Sequence, residues 1–148
     1  MGIQKLAHYS IRTTDLEASR KFYTEVMGFK VGYRPDFKFP GLWLYRGGDE
    51  SEFGIVHIID VNLKDREAVN AYLGDKPADN LQGTGTLDHI AFFATGLTEM
   101  RERLAHLKVE FIERTVPSLG LHQVFLTDPS DVTIELNYSS EEAQSANR

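Results

Sequence analysis

The feature that most constrains the fold of this chain is an internal repeat. His8 and His89 lie 81 positions apart, and so do Leu16 and Leu97. In each half, the histidine belongs to a β-prone segment and the leucine to a following segment with helical spacing. Self-similarity at a fixed offset indicates one structural unit used twice. The sequence therefore predicts an α+β fold of two tandem modules, each with a strand, a helix and three further strands.

The boundaries of these modules follow from composition. We expect one domain over the whole chain, with a first module at about 4–62 and a second at about 87–138. The linker at 63–86 begins with a short helical pattern and then becomes rich in Gly, Pro, Asn and Asp. The tail at 139–148 is polar and is predicted to fray.

Four candidate metal ligands occupy equivalent positions in the two modules. His8 and His89 lie in the first strands, and His57 and Glu135 lie in the last strands. If each first strand pairs with the last strand of its module, these side chains converge on one point. Three imidazoles and a carboxylate are suited to a divalent transition metal such as Ni, Zn, Co, Mn or Fe. The predicted fold is thus a half-open barrel of curved sheets around one metal site.

A fifth residue of interest is His122, which begins a strand beside the predicted site. Three roles are open for it: a neighbour of the metal ligands, a general acid or base, or a hydrogen bonder at the strand end.

Composition narrows the range of partners and compartments. The net charge is −6 and no basic stripe is present, which argues against nucleic acid and anionic membranes as partners. The 148 residues contain no cysteine, so neither disulfides nor thiolate ligands are possible. No segment has the length and apolarity of a signal peptide or a membrane span. We expect a cytoplasmic protein.

The motifs of both halves resemble those of the vicinal oxygen chelate superfamily over about residues 4–138. The resemblance is carried by HYSIRTTDLEASRKFYTEVMGFKV, LDHIAF and HQVFLTDPSDVTIELNY. The superfamily includes glyoxalase I, methylmalonyl-CoA epimerase, fosfomycin-resistance proteins and extradiol dioxygenases. The chain is most similar to its glyoxalase-like members.

This resemblance implies roles for several residues, among them Glu135 as the catalytic base. His8, His89 and Glu135 match metal ligands of glyoxalase I, whereas His57 stands where that enzyme has a second glutamate. Arg12 matches an arginine that faces anionic groups of the substrate. The family also implies a substrate-binding asparagine close to Asn62, a small-molecule substrate and a homodimer, with each site built from one chain or from two.

Three functions are compatible with these residues. The first is a metal-dependent lyase or isomerase that moves a proton on a small, oxygen-chelating, anionic substrate. The second is an iron-dependent ring-cleaving dioxygenase, which a fourth protein ligand at His57 would disfavour by filling the position that oxygen needs. The third is a protein that binds a small molecule or antibiotic and confers resistance without catalysis.

Overall fold

The computed structural model describes residues 2–47 and 54–148. They form two compact units, Met1–Leu81 and Gln82–Arg148, and each is described below by itself. The division falls inside the predicted linker.

The first unit contains a four-stranded sheet and two helical segments. Its strands follow the order β1-β4-β3-β2, with β1 parallel to β4 and the other neighbours antiparallel. The elements are β1 (Tyr9–Thr13), α1 (Leu16–Lys21), which continues as a π-helical turn (Phe22–Val26), β2 (Lys30–Gly32), β3 (Gly41–Tyr45), β4 (Val56–Asp60) and α2 (Glu67–Leu73).

The second unit repeats this topology. Its strand order is β5-β8-β7-β6, again with the first strand parallel to the last. The elements are β5 (Ile90–Phe93), α3 (Leu97–His106), β6 (Ile112–Val116), a 3₁₀ turn (Pro117–Leu119), β7 (Leu121–Thr127), β8 (Thr133–Ser139) and α4 (Ser140–Ala146). The predicted fold class is confirmed: the chain is α+β, with two βαβββ modules.

The sheet of the second unit buries one face under helices. In the second unit, Ile134, Leu136 and Val124 are buried on the same face of β8 and β7, along with Leu97 and Leu104 of α3. Burying a large aliphatic side chain contributes roughly 1.5–3 kcal/mol, so this apolar face holds the module together. Because strand side chains alternate, Glu135 is directed to the opposite face.

The predicted linker is only partly a linker. Residues 67–73 form α2, and Val69 of this helix is buried in a small core with Phe39, Ile59 and Val61. Leu81 also packs against this cluster. The segment up to Leu81 therefore belongs to the first unit because its apolar side chains complete that core.

The expectation of a frayed tail is wrong. Residues 140–146 form α4, with Ser139 accepting a hydrogen bond from Glu142 N as the N-cap. Oε1 of Glu142 then accepts the backbone N–H groups of Gly96 and Leu97 at 2.6 and 2.7 Å, at the start of α3. Ala143 is buried. A carboxylate on orphan N–H groups at a helix start is a strong capping interaction, which explains why this polar segment is ordered.

Candidate functional site

Two predicted metal ligands meet in the second unit. Glu135 lies in the middle of β8 and pairs with Ala91 of β5, so His89, two positions before Ala91, shares its face of the sheet. Nε2 of His89 lies 3.0 Å from Oε2 of Glu135. The other ring nitrogen, Nδ1, lies 2.8 Å from Oδ2 of Asp88, which fixes the ring orientation.

The buried carboxylate of Glu135 is held by amide side chains. Its Oε1 accepts N–H groups from Gln123 at 2.7 Å and from Asn137 at 2.8 Å. All three side chains are buried. These charge-assisted bonds offset the cost of burying the carboxylate. They also occupy one oxygen and leave Oε2 directed to His89.

The orientation of the Gln123 amide is set in turn by Arg114. Nε of Arg114 donates to Oε1 of Gln123 at 2.7 Å. Because a guanidinium only donates, Gln123 presents its oxygen to Arg114 and its NH₂ group to Glu135 and Asn137. Sequence reasoning did not assign a role to Arg114 or Gln123. The signal available in the sequence was the alternation of side chains along β7, which places Gln123 and His122 on opposite faces of the sheet.

The two histidines of the first unit also come together, but as a stack. The ring of His57 lies between Trp43 and His8, with ring centroids 3.8 Å away on either side. The planes are tilted by 6° to Trp43 and 17° to His8. His57 is buried. The three rings therefore form one stack on the face of the sheet that carries His57.

The environment of His57 keeps its imidazole neutral. The pKa of His57 is lowered from 6.5 to about 4, chiefly by burial and in addition by the nearby His8 and Arg34, against a hydrogen bond with the backbone of Gly54 that raises it. A neutral ring stacks on indole without the cost of burying a charge.

The His89–Glu135 pair and the His8–His57 pair differ in how well their geometry fits a metal ion. Ligand atoms about 2.0–2.2 Å from one ion lie roughly 2.8–3.5 Å apart, so the His89–Glu135 pair already has a suitable separation. Imidazole lone pairs lie in the ring plane, and the nearly parallel rings of His8 and His57 do not aim them at a common point. Within the described part of either unit, no three metal-binding side chains come together. Joint ligation by all four residues stays a prediction.

A cavity of about 340 Å³ opens beside the stack in the first unit. Its lining includes His8, His57 and Trp43, together with Arg34 and Phe37 from the loop between β2 and β3. The guanidinium of Arg34 lies 4.9 Å from the Phe37 ring centroid and donates to the Phe39 carbonyl at 2.8 Å. Sequence reasoning missed Arg34, because an irregular loop has no periodicity from which to predict a side-chain direction.

The remaining predicted site residues lie elsewhere. Arg12 donates to the Pro77 carbonyl at 2.8 Å and does not line this cavity. Asn62 is exposed and its Oδ1 accepts the backbone N–H of Lys64. His122 pairs with Tyr138, so it lies on the helix-covered face of its sheet. The structure therefore does not bring His122 to Glu135.

The ring nitrogens of His122 have structural partners instead. Nδ1 lies 2.9 Å from Oγ1 of Thr115, and Nε2 lies 3.3 Å from Oε1 of Glu113. Burial raises the pKa of Glu113, but hydrogen bonds from Arg101 and His122 outweigh it and the net pKa is lowered. Of the three roles open at the sequence level, this arrangement favours the strand hydrogen bonder.

None of the helices among the described residues has the length and apolarity needed to cross a membrane.

Comparison with known proteins gives a consistent result. A family model described as Glyoxalase/Bleomycin resistance protein/Dioxygenase superfamily matches residues 5–136. A protein named Glyoxylase I 4 from Arabidopsis thaliana is 26% identical over 143 residues, which cover 92% of this chain and 71% of the relative.

Two solved structures illustrate the fold similarity. Lactoylglutathione lyase from Agrobacterium tumefaciens has a TM-score of 0.63 at 19% identity, over 93% of this chain and 96% of that one. The fosfomycin resistance protein FosX from Listeria monocytogenes has a TM-score of 0.62 at 18% identity, over 93% and 95%. At these identities, the similarity concerns the fold.

Proposed function

The chain belongs to the glyoxalase/bleomycin resistance protein/dioxygenase superfamily, and on that premise we propose that it is a metal-dependent lyase or isomerase. Its substrate is a small anionic molecule with two neighbouring oxygens, and its reaction moves a proton between adjacent carbons. The glyoxalase names of the sequence relative and of one structural neighbour support this choice.

The observation that carries the proposal is the pair formed by His89 and Glu135. Their facing atoms are 3.0 Å apart, and the second carboxylate oxygen is held by two amides. We propose that His8, His89 and Glu135 hold one divalent transition metal, Ni, Zn, Co, Mn or Fe. Such an ion, when bound, stabilises negative charge that develops on the substrate oxygens. His57, the predicted fourth ligand, serves in this proposal as the stacking partner that positions His8.

The chain's own part in the reaction centres on Oε2 of Glu135. This oxygen accepts the proton from one substrate carbon and delivers a proton to the neighbouring carbon, and exchange with solvent between the two steps introduces deuterium in D₂O. The amides of Gln123 and Asn137 keep Oε1 engaged, so the basic oxygen is the one that faces His89.

An iron-dependent ring-cleaving dioxygenase is the second candidate, and one observation favours it. If His57 stays in its stack with Trp43 and His8, the proposed ligand set contains two histidines and one carboxylate. That set with open positions is typical of non-haem iron oxygenases.

One experiment separates the two candidates. The protein is supplied with Ni, Zn, Co, Mn or Fe in turn and incubated in D₂O with the hemithioacetal of glutathione and a 2-oxoaldehyde, or with a catechol under oxygen. Incorporation of deuterium at the substrate carbon, lost in Glu135→Gln, supports the lyase or isomerase. Oxygen uptake that occurs only with iron supports the dioxygenase. If neither reaction occurs with any of the metals, both candidates are refuted.

For partners and compartment, we propose a homodimer in the cytoplasm. Light scattering in solution tests the dimer directly, and a mass of one chain at all concentrations would contradict it.

A further inference from the structure

The cavity of the first unit combines aromatic side chains with a cation, Arg34, that is half-buried. Phe37, Trp43 and Tyr72 contribute rings to its lining, and Arg34 is the only permanently charged side chain among its described lining residues. No Asp or Glu is among these lining residues. The protein has a net charge of −6, and solubility does not account for an arginine in an aromatic cavity.

Arg34 is held firmly at this place. Its guanidinium lies over the rings of both Phe37 and Phe39, at 4.9 and 5.2 Å from their centroids. The backbone makes room for it at Gly41, where a Cβ would lie 2.9 Å from Nη2 of Arg34. Cation–π contacts orient a guanidinium without neutralising it, so its charge remains available to a ligand.

The hydrogen bonding of Arg34 leaves capacity for an acceptor. The Phe39 carbonyl accepts one N–H of the guanidinium. A planar guanidinium binds a planar carboxylate through two parallel N–H···O bonds, and the partial burial of Arg34 strengthens such a pair. Burial also lowers the pKa of Arg34, because the charged form lacks full hydration. The carboxylate of Asp36 partly offsets this effect, and a carboxylate bound directly to the guanidinium would add a second counter-charge.

The aromatic side chains that line the cavity favour a ligand with a flat hydrophobic group. Phe37 lies 4.9 Å from Tyr72 and 6.4 Å from Trp43 in ring-centroid distance, and these rings surround the same space as Arg34. Offset and edge-to-face packing against several rings favours an aromatic ligand over an aliphatic one of the same size. The cavity of about 340 Å³ is at the lower end of the range for small-molecule sites.

We propose that this cavity binds a small aromatic carboxylate, with the carboxylate on Arg34 and the arene between the aromatic walls. This inference rests on the proposed function, for which it names the substrate class: an aromatic acid with vicinal oxygens. His8, a proposed metal ligand, lines the same cavity, so the arene is bound next to a group of the proposed metal site. Arg34, not Arg12, is the residue that recognises the anion.

The chain offers a direct reporter of binding. Trp43 is its single tryptophan and lines the cavity, so selectively excited tryptophan fluorescence reports on this site. Metal-free protein is titrated with phenylglyoxylate, with its uncharged methyl ester and with pyruvate, which keeps the 2-oxo acid but lacks the ring. We expect saturable quenching by phenylglyoxylate and about 10- to 100-fold weaker binding of the ester and of pyruvate.

Variants assign the effect to Arg34. Arg34→Met is expected to weaken phenylglyoxylate binding by about 10- to 100-fold and to bring the acid and the ester to similar affinities. Lys38→Met removes a cation of the same loop that does not line the cavity, and should leave binding unchanged. Arg34→Lys keeps the charge without the paired donors and should be intermediate, which guards against an unfolded Arg34→Met variant.

The outcomes separate this inference from the proposed function. Equal binding of acid and ester by the parent protein, or full affinity in a folded Arg34→Met variant, overturns the aromatic acid site. Because the titration uses metal-free protein, these results do not depend on metal binding. Selective binding of phenylglyoxylate by a protein that never takes up a metal supports the cavity assignment and refutes the proposed function.

Discussion

Gln123 donates an N–H of its side chain to Oε1 of Glu135 across 2.7 Å, and both side chains are buried. This bond decides which carboxylate oxygen is left for His89. The candidate metal ligand is therefore positioned by a neutral residue of the adjacent strand, which in turn is oriented by Arg114.

Replacing Gln123 tests this arrangement. Gln123→Met keeps a similar side-chain volume but removes both hydrogen bonds that the Gln123 amide donates, to Glu135 and to Asn137. Glu135 therefore loses a donor to Oε1, and its carboxylate loses its preferred orientation. We expect a decrease in metal affinity of about 10- to 100-fold, measured by calorimetric titration with Co²⁺ or Zn²⁺. Gln144→Met changes an exposed glutamine of α4 and should bind metal like the parent. Equal affinities for the two variants would remove Gln123 from the site.

The contact between Glu142 and the start of α3 predicts a loss of stability. Glu142→Gln weakens the acceptor of the Gly96 and Leu97 N–H groups, and should lower the free energy of unfolding by about 0.5–2 kcal/mol in urea titrations. Glu141→Gln, one residue earlier in the same helix and exposed, is the matched control and should cost much less. A larger loss for Glu141→Gln would contradict the capping role.

The stack around His57 predicts a pH dependence of stability in metal-free protein. An unfolded chain protonates this imidazole near pH 6.5, whereas the buried ring of the folded protein has a pKa of about 4. The stability that comes from the neutral ring is thus complete above pH 6.5 and is lost as the pH falls towards 4.

The His57→Phe variant isolates this contribution. Phenylalanine keeps a stacking ring but cannot take up a proton, so its free energy of unfolding should fall less steeply between pH 6.5 and 4. Unfolding in urea at several pH values measures the difference between the two proteins. Parallel pH profiles would show that His57 takes up its proton as easily in the folded protein as in the unfolded one.

The sequence was sufficient to predict the topology but not the faces of every strand. The repeat of His8 and His89 predicted two βαβββ modules, because equal spacing of apolar segments implies equal connections. The site role considered for His122 depended on the register of β7, which sequence alone does not specify. The observed pairing of His122 with Tyr138 places its side chain under the helices.

Two local features of the structure differ from what the sequence pattern alone suggests. Thr14 and Glu17 have the spacing of a capping box, but the N-cap of α1 is Asp15, whose side chain accepts from Ala18 N at 3.0 Å. Glu17 pairs with Arg20 instead. Adjacent residues that both favour the N-cap of a helix compete for that position, and tertiary packing decides which of them occupies it. The tail was predicted to fray because its partner, the start of α3, is distant in sequence.

The central claim is that Glu135 and its histidine neighbours hold a metal ion, and metal analysis tests it most directly. Untagged parent protein and Glu135→Gln are reconstituted with each divalent metal, dialysed and measured by elemental analysis. The account predicts near-stoichiometric metal in the parent and at least about 10- to 100-fold weaker retention in the variant. A parent protein that holds no metal after reconstitution, or a variant that retains it equally well, would contradict the account.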